Sequence, residues 1–311
     1  MHLQDPAIDK IARKLRRVFD SLEGLPYLGP REIKDFNYFR ALFEESLIHI
    51  DRKVSSGRLH PLDLRGFPQD LRYPGFSARI GIFIGSFDPF QMTHLAMALR
   101  FLASDASEAD VVFVVPEGSS DTRKPAKTEY RFRYEILRNQ LAGILEPLVV
   151  HLDIGEGADT IEIVRRLIAM HRGAHLRLTH LIGSDVLPIA LRFIPDDLEA
   201  WQSASSKHGV ALDFSIHVAR RDSKAPLRPL LEAVRRYGVR IVVDRRVIGT
   251  PSSTAFRADG AITVVLPTEA VLSRLELLFR YGMNKPWVAA SLDAGPRERA
   301  EKPIDAPEYE I

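Results

Sequence analysis

Hydrophobic positions recur along this chain with two periods, and the change from one to the other divides it. Over residues 7 to 22, Ile8, Ile11, Ala12, Leu15, Val18, Phe19 and Leu22 fall at helical spacing, with Lys10, Arg13, Lys14 and Arg17 on the opposite side. That pattern predicts an amphipathic helix whose cationic face is solvated. A second helix is expected over 31 to 53, burying Ile33, Phe36, Phe39, Leu42, Phe43, Leu47 and Ile50. Residues 54 to 79 then carry Pro61, Pro68 and Pro74 with Gly57, Gly66 and Gly75, which break regular structure and read as a connecting arm.

From Ile80 onward, short β-branched runs alternate with helical patterns. Strands are expected near 80–84, 111–115, 148–152, 178–182, 215–218 and 239–243, and helices near 129–142, 159–172, 185–193, 227–237 and 268–281. Such alternation predicts an α/β fold, a doubly wound parallel sheet of Rossmann-like type, preceded by an N-terminal helical extension. The expected division is 1–79 for the extension and arm, 80–287 for the α/β domain, and 288–311 for a tail rich in Pro, Glu, Asp and Ala that is expected to be disordered. No internal repeat is evident.

Composition narrows the function classes. A chain of 311 residues with 45% hydrophobic content can bury a sizeable core, and a formal charge of +2 suggests neither nucleic-acid nor membrane binding. With no cysteine there is no disulfide, thiol nucleophile or thiolate metal ligand. No apolar run reaches membrane-spanning length and the first residues lack a signal-peptide core, so a cytoplasmic protein is expected.

The candidate chemistry begins where the first strand ends, at Gly85-Ser86-Phe87-Asp88-Pro89-Phe90-Gln91-Met92-Thr93-His94-Leu95. A buried strand breaks at a glycine, turns through Asp-Pro and re-enters as a helix, so backbone N–H groups and the positive end of a helix converge on one spot suited to an anion. A second anion-binding pattern, Thr250-Pro251-Ser252-Ser253-Thr254-Ala255-Phe256-Arg257, offers hydroxyls at a helix start and a guanidinium one turn on. Taken alone, it reads more often as an ordinary helix cap. Leu181-Ile182-Gly183-Ser184-Asp185 ends a strand in glycine and a carboxylate, which suits ribose hydroxyls and also suits a helix N-cap.

The string from Gly85 to Leu95 resembles the G-[ST]-F-D-P-x-H-x-G-H-L signature of the HxGH-type nucleotidyltransferases, and within them the nicotinate or nicotinamide mononucleotide adenylyltransferases. Gly85, Ser86, Phe87, Asp88, Pro89, His94 and Leu95 match, whereas Gln91 and Thr93 stand where the family has histidine and glycine. The resemblance implies catalytic roles for His94, Gln91, Lys127 and Arg257. It implies ATP contacts from Gly85, Ser86, Phe87, Gly183, Asp185, Ser252, Ser253 and Thr254, the last three in register with the family's S-S-T-x-x-R motif. Thr160 and Phe193 fall at acceptor-binding positions, Arg131 at a position more often structural than catalytic, and no dedicated metal ligands are implied. The implied reaction transfers the adenylyl group of ATP to a pyridine mononucleotide, with Mg2+ carried on the ATP phosphates and ATP and the mononucleotide as the partners. A relative with another phosphate acceptor, and a nucleotide sensor weakened by Gln91 and Thr93, are the competing expectations.

Overall fold

The computed structural model describes residues 3–23, 30–62, 77–118, 129–221, 227–248 and 265–266. Two helices come first, α1 (Pro6–Glu23) and α2 (Pro30–Ser55), followed by β1 (Ser77–Gly85), α3 (Met92–Ala103), β2 (Val111–Pro116), α4 (Tyr130–Leu141) and β3 (Val149–His151). The second half runs α5 (Thr160–Met170), β4 (His175–Gly183), α6 (Leu187–Ala190), α7 (Ile194–His208), β5 (Ala211–Arg220), α8 (Leu227–Arg235) and β6 (Arg240–Val247). The six strands are parallel and lie in the order β3-β2-β1-β4-β5-β6. The doubly wound α/β fold expected from the alternating pattern is therefore present.

Side-chain alternation sends the residues of β1 and β2 to two cores, and a third cluster gathers Ile182, Ile216 and Val218 of β4 and β5 with Leu187 and Ile194. Ile80 and Ile82 of β1 and Val111, Phe113 and Val115 of β2 meet Ile163, Leu167, Trp201 and Ala204 of α5 and α7 on one face. Phe83, Val112 and Val114 face the other way, toward Leu95, Leu99 and Leu102 of α3 and Leu137 and Leu141 of α4. That second core continues into Ile8, Leu15 and Phe19 of α1 and Phe39, Phe43 and Ile50 of α2. Lys53, buried near the end of α2, donates to Leu102 O at 2.7 Å and to Ser104 O and Ser107 O at 2.9 Å. An ammonium from the N-terminal helices thus satisfies the carbonyls left over where α3 ends.

Besides β1 beginning at Ser77, inside the expected arm, and β6 running on to Val247, the structure differs from the expected elements in three places. β4 and β5 begin earlier than their apolar runs, because the polar residues there pair across the strands: Arg177 lies beside Asp213 in register, and His175 Nε2 is 2.8 Å from Asp213 Oδ2. The helix expected over 185–193 shrinks to the four residues of α6. A fifteen-residue helix, α7, follows where none was expected. Its apolar content is thin, but its ends carry the appropriate residues: Pro195 in the first turn, Asp196 and Asp197 beside it, and Gly209 in the left-handed conformation as C-cap. The expected helix at 268–281, the tail and most of the arm lie outside the described residues.

Candidate active site

In a parallel sheet, ligands bind beyond the carboxyl ends of the strands where the winding reverses. Here the reversal falls between β1, whose neighbour on one side leads to β2 and β3, and β4, which leads to β5 and β6. The two glycine-ended strands of the sequence reading, terminating at Gly85 and Gly183, are the two that border this crevice.

The turn after β1 is held from several directions. Phe87 adopts a φ of 42°, a left-handed conformation that bulky residues rarely take and that surrounding packing must enforce. Its ring lies between Phe83, Phe90 and the His94 imidazole, at centroid distances of 5.1, 5.3 and 5.1 Å. A Cβ at Gly85 would stand 3.0 Å from that ring, so glycine fits this position closely. Two α4 side chains seven residues apart, hence on one helix face, secure the turn's backbone. Arg133, 2% exposed, donates to Ser86 O and to Glu117 O, the latter at 2.8 Å, and Gln140 donates to Phe90 O at 2.9 Å. Sequence reasoning gave neither a role. It singled out Arg131, which instead pairs on the surface with Asp153 at 2.6 Å and Glu156 at 2.5 Å.

His94 is the third residue of α3, and its Nδ1 accepts from the Gln91 N–H at 3.1 Å while the Gln91 side chain accepts from the His94 N–H. This reciprocal capping box puts the proton of a neutral ring on Nε2, which makes Nε2 the donor. Gln91 is fully buried. The amide that the sequence reading assigned to the phosphates is placed as the cap of α3. Thr93 is also buried, and its hydroxyl has no partner among the described residues.

At the other side of the crevice, Gly183 and Asp185 act together. A Cβ on Gly183 would lie 2.3 Å from Asp185 Oδ1, so only glycine leaves the carboxylate where it is. Asp185 Oδ2 accepts from Arg221 at 3.0 Å and the side chain remains about half exposed, open to a further donor.

Beside the start of the turn lies a cavity of about 360 Å³, whose lining does not include Phe87, His94, Gly183 or Asp185. Gly85, Ser86, Thr160 and Phe193, all expected at the site, line it together. Thr160 begins α5, which Asp159 caps by accepting from the Glu162 N–H at 2.9 Å. Phe193, Asp197 and Trp201 come at successive turns of the segment entering α7 and run from the mouth to the interior, Phe193 being 49% exposed and Trp201 only 2%. Trp201 donates from Nε1 to Ile161 O at 3.3 Å. Burial, with Asp159 and Asp196 adding like charge, pushes the Asp197 carboxyl up to about 7. Burial pushes the His180 imidazole, at the cavity wall, down to about 4, so it is neutral at physiological pH. Asp197 and Trp201 were not found from sequence because α7 itself was missed, and His180 was not singled out within the strand run that became β4.

Lys127, Ser252, Ser253, Thr254 and Arg257 lie outside the described residues. The described residues nearest the second motif on either side are Ile248 and Val265. Ile248 and Leu266 are both buried in the core that contains Met92 and Leu95, and the Leu266 N–H donates at 2.7 Å to the same Gln140 that holds Phe90. Among the described residues no three of His, Asp and Glu are grouped as metal ligands, and no helix is long and apolar enough to cross a membrane.

Sheet order, a histidine-bearing turn at the reversal and an adjoining cavity define a Rossmann-like α/β protein with a candidate ligand site at the sheet's reversal point. No family model matches the chain. A stretch of 120 residues is 32% identical to a probable nicotinate-nucleotide adenylyltransferase of Gemmatimonas aurantiaca, covering 37% of this chain and 54% of that protein. The chain thus spans about half the length of the curated relative it matches. Similar solved structures include Plasmodium falciparum nicotinic acid mononucleotide adenylyltransferase, complexed with APC (15% identity, 67% of this chain and 97% of that one, TM-score 0.43). The same enzyme complexed with NaAD matches with 15% identity over 66% and 97% of the two chains, TM-score 0.43. Thermotoga maritima TmcAL bound with alpha-thio ATP gives 14% identity over 65% and 55%, TM-score 0.32. The resemblance to the nicotinate mononucleotide adenylyltransferases, first carried by the motif, is therefore also found by sequence comparison.

Proposed function

We propose that this protein is a nucleotidyltransferase that joins the adenylyl group of ATP to a pyridine mononucleotide, forming the dinucleotide and pyrophosphate in NAD biosynthesis. The observation that carries this reading is the His94 turn: a strained, doubly anchored loop at the sheet's reversal point, opening on a cavity lined by Thr160 and Phe193. The curated relative's name supports the choice of reaction.

An oxygen of the mononucleotide phosphate attacks the α-phosphorus of ATP, the bond to the bridging oxygen breaks, and pyrophosphate leaves with the electron pair. No covalent enzyme intermediate is needed, so the protein's work is positioning and charge stabilisation. His94 Nε2 donates to phosphate oxygen as charge moves toward the leaving group. Lys127 and Arg257 hold the outer phosphates and Ser252, Ser253 and Thr254 cap them. Gly85, Ser86 and Phe87 present the backbone of the first turn, while Asp185, positioned by Gly183, accepts from the ribose hydroxyls of ATP. Phe193 stacks on the pyridine ring beside Thr160. Mg2+, arriving on the ATP phosphates, would supply neutralisation of the charge on the departing pyrophosphate, and no side chain of this chain is assigned to hold it.

The test is a panel of ATP or CTP with nicotinate mononucleotide, nicotinamide mononucleotide, phosphopantetheine and alcohol phosphates, read by pyrophosphate release. Release with ATP and a pyridine mononucleotide is expected. Release only with another acceptor replaces this reading by a related transferase, and tight nucleotide binding without turnover replaces it by a sensor.

A further inference from the structure

Phe193 and Asp197 are four residues apart and line the same cavity, so a ring stacked on Phe193 brings its substituent one helical turn from the Asp197 carboxyl. Asp197 is 9% exposed, and on the facing element stands Asp159, the cap of α5. The ionisable groups that line this cavity among the described residues are Glu117 after β2, Asp159 before α5, His180 on β4 and Asp197 on α7, with Asp196 beside it on the same helix and the Arg133 guanidinium behind Ser86 and Glu117, on whose backbone oxygens it is held. Three of the four lining groups are acids, and the fourth is a neutral imidazole. An uncharged carboxamide suits such a wall, because its N–H groups donate to a carboxylate. A carboxylate substituent brings like charge against Asp197 and Asp159 in a shielded space.

We propose that the cavity selects a pyridine mononucleotide bearing a carboxamide over one bearing a carboxylate, with Asp197 accepting a hydrogen bond from the amide. This rests on the adenylyl-transfer reading above and assigns the acceptor class within it. The selection depends on pH. Asp197 releases its proton near 7, so in acid it is a neutral donor able to meet a carboxylate, and above neutrality it is an anion that excludes one. Binding of the carboxylate above that point requires uptake of a proton, so its affinity relative to the carboxamide falls about tenfold for each further pH unit.

The experiment is calorimetric titration of the full chain with nicotinamide mononucleotide and with nicotinic acid mononucleotide between about pH 6 and pH 8, alongside dinucleotide formation from each with ATP. The phosphates of the two ligands titrate alike, so the affinity ratio isolates the ring substituent. The carboxamide is expected to lead by about tenfold or more near pH 8 and by less near pH 6. In Asp197→Asn the pH dependence of the ratio is expected to vanish. A ratio that does not change with pH in the unmodified protein, or a lead for the carboxylate near pH 8, overturns the proposal while dinucleotide formation keeps adenylyl transfer standing. Absence of binding and of dinucleotide with both ligands overturns the proposal and the reading beneath it.

Discussion

Asp197→Asn should make the protein more stable near pH 8 and leave it unchanged near pH 4. The carboxyl's pKa rises from 3.8 to about 7 on folding, and burial is the main cause, with Asp159 and Asp196 next. A group whose folded pKa is raised gives its full stabilisation below the unfolded value and loses it as pH climbs through the folded one, so the window runs from about 4 to 7. A shift of about 3 units corresponds to about 4 kcal/mol at most. Asp197 borders a cavity that admits water, which screens part of this, and about 2 kcal/mol is the expected net effect. For a domain of this size that raises the melting temperature by roughly 4 to 8 °C. Thermal melts of both proteins at half-unit pH steps measure it directly. The difference should grow between pH 4 and 7 and then level off. An equal difference at every pH would show that Asp197 is ionised throughout, and a lower melting temperature for the variant near pH 8 would show that its charge is stabilised by a partner; either result refutes the reasoning.

Other substitutions probe the remaining supports. Gly183→Ala puts a methyl group 2.3 Å from the present place of Asp185 Oδ1 and should weaken ATP binding by about tenfold without unfolding the chain; unchanged affinity by titration would remove Asp185 from the nucleotide site. Arg133→Lys replaces a fork spanning Ser86 O and Glu117 O by a single ammonium, and urea melts should show a loss of about 2 kcal/mol together with slower turnover. Lys53→Met strands the carbonyls of Leu102, Ser104 and Ser107 and should lower stability by about 3 kcal/mol or more. Burial lowers the Lys53 pKa from 10.5 to about 8, so the unmodified protein should gain on this variant as pH rises from about 8 toward 10.5, and denaturant melts across that window check the sign.

Much of the fold was legible because the strands of a parallel sheet, covered on both faces, must be apolar runs, and runs such as Val111–Pro116 contain little else. The starts of β4 and β5 escaped notice because Arg177 and Asp213 satisfy each other across the sheet, a pairing no local pattern reveals. The site divided in the same way. Gly85, His94 and Gly183 could be singled out as candidates since turns and strand ends constrain residue type locally, and the structure brings Thr160 and Phe193 to the cavity beside Gly85. Arg133 and Gln140 were not, because their partners are backbone carbonyls 47 and 50 residues away. Asp197 and Trp201 were lost with α7, whose signals lie in its caps rather than in its hydrophobic spacing. Gln91 read as a substituted phosphate ligand in sequence, and its burial with the His94 N–H as partner gives it a local reason to be there.

The central claim is that the His94 turn is where an adenylyl group changes hands. ATP labelled at its α-phosphate, incubated with a pyridine mononucleotide and either the unmodified protein or His94→Ala, tests it most directly. The label should appear in a dinucleotide with matching pyrophosphate, and the rate should fall about a hundredfold or more in His94→Ala, the loss typical of one donor aimed at developing charge. Label that never leaves the mononucleotide form of adenine, or a dinucleotide made equally fast without His94, would contradict it.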